Sequence, residues 1–240
     1  MENKIIIANL KMNMSFDEVK TYIKYLKDSC NLSNLVICPS NIYILYFVSS
    51  GFIVGSQDCS SFEVGAHTGD ISASQLKSIG AKYCILGHSE RKLYHNESNL
   101  ETNKKLKLAL KNDLKVILCI GEDKEESDSN IIFDIIRIKL DECLDGISDI
   151  SNIIIAYEPS WAIGSMKVLE NERIYDVISY IKNYMQNKYS SHIKVLYGGS
   201  VNEHNISKLN EINDVDGFLI GKSSFEHSSL KKIIEVVDSQ

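Results

Sequence analysis

Only two prolines occur in 240 residues, and no stretch reads as a linker; with 44% apolar residues, one sizeable core and one domain over residues 1–240 are expected. No apolar run approaches the roughly 20 residues of a membrane-spanning helix, and the run in MENKIIIANLKMN breaks after a few positions. No membrane association and no export are therefore expected. Positive charge is also scarce: 26 Lys and Arg stand against 32 Asp and Glu, for a formal net charge of -6. Without a basic stretch a nucleic-acid partner is excluded, and an anionic substrate has to be met by individual lysines and helix N-termini. The six cysteines, Cys30, Cys38, Cys59, Cys84, Cys119 and Cys143, never take CxxC spacing and fall mostly within apolar segments. They read as buried thiols of a cytoplasmic protein, without the spacing that metal or redox chemistry needs, and no metal is expected.

What is present is a repeating pattern. Short apolar, β-branched runs recur at 4–8, 34–38, 52–57, 83–86, 115–120, 152–157, 194–197 and 217–220. None alternates in polarity, so both faces should be buried, as in a parallel sheet. Helical signals lie between them. Ser15, Ser72 and Ser98 each precede Glu or Gln by three residues, the capping-box spacing. Phe16, Val19, Tyr22, Ile23 and Leu26 then share one helical face, and Gly80 closes the helix that starts after Ser72. Weaker helices are expected at 41–49, 129–144, 171–189, 205–210 and 228–237. Eight βα units of about thirty residues fit an α/β fold, the closed (β/α)8 barrel with eight parallel strands and outer helices. The open doubly wound alternative lacks its GxGxxG fingerprint after the first strand.

In a barrel, chemistry sits on the loops at the carboxyl ends of the strands. Those ends carry Asn9 and Lys11, His88 and Glu90, and Glu158, five polar residues from three strands. Glu158 leaves its strand directly into Pro159, which stiffens the backbone of a potential base. The residues after Ser160 carry a lone Trp and a Gly without a helix signal, as a short lid would. The last two strands end in Gly198-Gly199-Ser200 and Gly221-Lys222, where exposed backbone N–H groups suit a phosphate. IGKSS, at 220–224, misses the nucleotide P-loop because Asp216 stands where that motif needs glycine. The acidic run GEDKEESDS, at 121–129, lacks fixed ligand spacing and reads as a solvated loop.

Five segments in chain order, NLKMN at 9–13, ILGHSER at 85–91, CIGE at 119–122, AYEPSWAIG at 156–164 and YGGSV at 197–201, resemble the triosephosphate isomerase family. The resemblance implies interconversion of dihydroxyacetone phosphate and glyceraldehyde 3-phosphate, a step of glycolysis and gluconeogenesis, without a cofactor. It implies Glu158 as the base, His88 as the electrophile at the carbonyl, Lys11 as the cation for enediolate and phosphate, Asn9 as an orienting group and Glu90 as support. It further implies phosphate binding by Gly164, Ser200, Gly221 and Lys222 under a lid at 161–167. A homodimer is implied through the loop EVGAHTGD, at 63–70, with Thr68 inserted beside a partner's site.

The chain also departs from the family pattern. Met166 stands where the lid tip usually has glycine, and Lys222 occupies the second phosphate glycine. His67 and Asp70 replace an aromatic and a Glu in the dimer loop, and Asp58 replaces an Asn before it. Met166 and Lys222 would be signs of drift in a second reading, a catalytically silent paralogue that binds triose phosphate; a third is a barrel isomerase of another phosphorylated sugar, against which the compact lid argues.

Overall fold

The computed structural model describes residues 4–127, 131–162 and 169–239. Eight parallel strands close into a barrel in sequence order: β1 Ile5–Asn9, β2 Leu35–Cys38, β3 Ile53–Ser56, β4 Tyr83–Leu86, β5 Lys115–Ile120, β6 Ile153–Tyr157, β7 Lys194–Tyr197 and β8 Gly217–Ile220. Closure is made by β1 against β8, with Ile5 opposite Gly217 and Ala8 opposite Ile220. All strands run the same way, so every carboxyl end opens on one mouth.

The expected burial of both faces holds. Alternate strand residues, among them Ile7, Val36, Ile85, Ile117, Ile154, Leu196 and Leu219, fill the barrel interior. Their neighbours, such as Ile6, Ile37, Val116 and Ile155, pack outward on the helices. Burying each such side chain contributes about 1.5–3 kcal/mol against chain entropy, and this double layer makes the barrel rigid enough to aim loop residues.

The described helices are α1 Phe16–Ser29, α2 Ile44–Ser49, α3 Ala73–Ser78, α4 Ser89–His95, α5 Asn99–Lys111, α6 Lys124–Ser127, α7 Ile132–Cys143, α8 Asn171–Tyr189, α9 Ile206–Asn210 and α10 His227–Asp238. The starts read from sequence are real. Glu18 accepts from the N–H and the hydroxyl of Ser15, Gln75 and Ser72 bond reciprocally, and Ser98 Oγ accepts from Glu101 N–H. The inward face of α1 is Val19, Tyr22, Ile23 and Leu26, whereas Phe16 is half exposed, stacks on Tyr43 and meets Tyr46 edge-on.

The structure differs from the sequence expectation at four places. The segment 41–49 opens with a 3-10 turn, Asn41–Tyr43, before α2. A second 3-10 turn, Ser160–Ala162, occupies the start of the expected lid. The acidic run after β5 is not wholly a solvated loop, since it contains the helical turn α6 and its Glu122 is fully buried. Most consequentially, α4 has no counterpart among the expected helices. It buries none of its residues, so no apolar periodicity marks it.

Candidate active site

Five strand ends, those of β1, β4, β6, β7 and β8, converge on one cavity of ≈ 840 Å³, lined by Asn9, Lys11, His88, Glu90, Glu158, Ser200, Gly221 and Lys222 among others. Asn9 is the last residue of β1, one position later than the sequence suggested for the strand's end. Its Oδ1 accepts the N–H of Lys11 at 3.1 Å. Lys11 itself takes φ of +50°, a left-handed conformation that costs a non-glycine residue about 1–2 kcal/mol. Ser40 Oγ and Gln57 Nε2 hold that turn by donating to its carbonyl at 3.0 and 2.8 Å. The strain is thereby anchored, and the Lys11 ammonium meets Glu90 Oε1 at 2.5 Å.

His88 is the N-cap of α4. Its Nδ1 accepts the backbone N–H of Glu90 at 3.2 Å, which leaves the ring proton on Nε2. Nε2 lies 3.4 Å from Glu158 Oε1. The first turn of α4 thus orients the imidazole.

Glu158 follows β6 and is 3% exposed. Its N–H extends the β5–β6 pairing by donating to Ile120 O at 2.8 Å, and Pro159 then fixes the chain. Its Oε2 is buried with no hydrogen-bond partner among the described residues. A carboxylate oxygen left dry and unpaired costs stability, and it is what a base needs for an incoming C–H. Beside it, burial pushes the Cys119 thiol well up, and the charge of Glu158 adds to that. Cys119 accordingly stays a neutral neighbour of the carboxylate.

At the other end of the cavity, the N–H groups of Ser200, Gly221 and Lys222 make no hydrogen bond among the described residues. Free N–H groups at the head of the 3-10 turn Lys222–Ser224 form a cradle suited to an anion. Gly164, the remaining phosphate-binding expectation, and Met166 lie outside the described residues. Thr68 stands exposed on its loop, away from the residues of the cavity.

Sequence reasoning missed Glu122. Its Oε1 accepts from Tyr157 Oη at 3.1 Å and Trp161 Nε1 at 3.2 Å, and lies 3.5 Å from Arg173 Nη2. Its carbonyl takes Ser160 N–H at 2.9 Å. One buried carboxylate therefore ties the chain leaving Glu158 to the barrel and to α8. Its position just beyond the end of β5 was the available signal, masked by the acidic residues that follow it. Among the described residues no cluster of His, Cys, Asp or Glu is arranged to hold a metal ion.

A dry carboxylate facing an imidazole N–H, with an ammonium on the same mouth, defines a (β/α)8-barrel enzyme equipped for proton transfer next to a carbonyl. The particular family follows from comparison with known proteins. The family model for triosephosphate isomerase matches residues 4–237. A triosephosphate isomerase of Alkaliphilus oremlandii is 37% identical across 98% of this chain and 99% of its own. One from Buchnera aphidicola is 38% identical over the same shares, and one from Mycoplasma genitalium is 35% identical over 98% of each chain. The chain belongs to the triosephosphate isomerase family.

Proposed function

We propose that this protein interconverts dihydroxyacetone phosphate and glyceraldehyde 3-phosphate, with Glu158 moving the proton between the two carbons. The single observation that carries the assignment of roles is the 3.4 Å approach of His88 Nε2 to a Glu158 carboxylate whose second oxygen is unpaired. A triose phosphate with its phosphate on Ser200, Gly221 and Lys222 brings its carbonyl carbons between these two groups. Glu158 removes a proton from the carbon beside the carbonyl, and His88 Nε2–H supports the oxygen that gains charge. Lys11 adds a positive charge to that enediolate. Glu90 holds Lys11 through its carboxylate and His88 through its N–H, and Asn9 fixes the Lys11 turn. The hydroxyl proton on the deprotonated carbon passes through His88 Nε2 to the former carbonyl oxygen, and Glu158 then returns its proton to that oxygen's carbon, leaving the new carbonyl on the carbon first deprotonated. No group other than side chains and backbone is required by this sequence of steps.

The reading extends to assembly and compartment. Met12, Ile42, Leu45, Phe62, Val64, Leu93 and Tyr94 are exposed apolar side chains on segments that follow β1 to β4. Those strands are neighbours in the barrel, so the exposed residues share one side, and an apolar face of that extent suits a second copy. The protein is read as a homodimer joined there, with the loop of Thr68 entering the partner. It is also read as cytoplasmic, since its six cysteines are all free. The whole chain acts as one catalytic domain.

A coupled assay from glyceraldehyde 3-phosphate tests the assignment. Glu158→Asp withdraws the carboxylate by one methylene and should lower kcat about 100-fold. Wild-type turnover no faster than that of the variant would remove the enzyme reading and favour a silent binding protein.

A further inference from the structure

The cavity that holds the proposed phosphate cradle is lined by charges of both signs. Lys222 stands at the cradle, and its ammonium makes no hydrogen bond or ion pair among the described residues. Past Ser200 and Lys222 in chain order, the same lining has two carboxylates, Glu203 in the segment after β7 and Glu226 at the N-cap of α10. Glu203 is held in place, because the buried Ser229 donates its hydroxyl to Glu203 Oε2. That bond, followed by one from its own backbone, holds the Glu203 carboxyl below its usual range. Glu226 is exposed and caps no helix N–H. Neither carboxylate is within salt-bridge distance of Lys222, so the cation and the two anions act on a ligand from different positions.

Size alone leaves the site permissive, since a cavity of ≈ 840 Å³ is in the range that accepts ligands much larger than a triose phosphate. We infer that Glu203 and Glu226 restrict the site by charge: they disfavour any compound whose second anionic group reaches beyond Lys222, so that single-phosphate compounds are selected. This deepens the proposed function and rests on the cradle assigned there. The physical basis is repulsion built against the wrong ligand, while the right ligand meets only the cation. A monophosphate places its charge on Lys222 and the free N–H groups. A bisphosphate of the same length must set its outer phosphate against two carboxylates, of which Glu203 is held by Ser229.

Butane-1,4-diol monophosphate and butane-1,4-diol bisphosphate differ only in that outer charge, and calorimetry on the full chain reads their binding directly. In Glu203→Gln/Glu226→Gln, where glutamine still accepts the Ser229 bond, the bisphosphate should bind about five- to tenfold tighter than to wild type. Monophosphate binding should stay within about twofold, and the bisphosphate gain should shrink in 0.5 M salt because exposed charges are screened. An unchanged bisphosphate affinity, or equal gains for both probes, overturns the inference. Turnover of glyceraldehyde 3-phosphate is measured in parallel: its absence in wild type, with the probe selectivity intact, overturns the enzymic reading and leaves the charge restriction standing.

Discussion

Gly198 gives Glu158 its room. A Cβ added at Gly198 would stand 2.7 Å from Glu158 Cγ and 3.3 Å from its Oε1. Because the backbone of Gly198 needs no left-handed conformation, Gly198→Ala should fold and push only the carboxylate aside. Displacement of a reacting group by about 1 Å costs on the order of 100-fold, so kcat should fall by about that factor. The melting temperature should change little. A variant with wild-type kcat would show that this packing does not aim the base.

Much of this site was readable because strand ends carry few polar residues. Asn9, Lys11, His88, Glu90 and Glu158 stood out against apolar runs, and the barrel brings all five to one cavity. Two things were not readable. Helix α4 has no buried face to impose a period, although it is the element that sets the tautomer of His88. Glu122 was hidden for the opposite reason, since it heads an acidic stretch whose Asp123 and Glu125 are exposed while its own side chain is sealed beneath Trp161 and Tyr157. Periodicity reports burial of apolar faces and says nothing of a single polar group that burial has captured.

Lys222 lies in the proposed anion cradle, and its amine makes no hydrogen bond or ion pair among the described residues. Lys222→Gly keeps the backbone N–H and removes only the charge. In an acidic protein that local cation should matter for capture more than for chemistry, so KM for triose phosphate should rise about three- to tenfold with kcat nearly constant. A KM that is unchanged or lower would show that the backbone alone holds the phosphate.

The homodimer reading is checked at Met12, whose side chain is 94% exposed beside Lys11. Met12→Asp puts a charge into the face proposed to be covered and leaves the barrel core untouched. Sedimentation should show wild type at the mass of two chains and the variant at that of one, with unchanged helix content. A wild type that sediments as one chain at micromolar concentration would remove the dimer.

The buried ionic cluster behind the site makes a prediction about stability and pH. Glu97, 4% exposed, accepts from Lys105 Nζ at 2.6 Å, Arg91 Nε at 3.0 Å and Thr102 Oγ1 at 3.1 Å. Lys105 Nζ also meets both oxygens of Asp58 at 2.9 Å. Burial pushes the Glu97 carboxyl up, but Lys105, Arg91 and Thr102 outweigh it and hold the group below its usual range. For Asp58 burial wins: with Glu97 nearby, its carboxyl stays above the usual range although Lys105 and Arg91 oppose this. The signs follow by linkage. A depressed carboxyl stabilises the fold above its unfolded pKa, about 4.3 for Glu, and that contribution is lost as pH falls through the folded value. A raised carboxyl does the reverse, so ionised Asp58 costs the fold something at neutral pH. Glu97→Gln leaves Lys105 buried with a weaker partner and should cost about 3–5 kcal/mol at pH 7, shrinking below about pH 4. Asp58→Asn removes a carboxylate that the fold holds unwillingly and should cost under about 1 kcal/mol. Urea unfolding at fixed protein concentration, repeated from pH 3.5 to 7, separates the two. Equal costs for the variants, or a Glu97→Gln deficit that does not change with pH, would show that the cluster is not organised around Glu97.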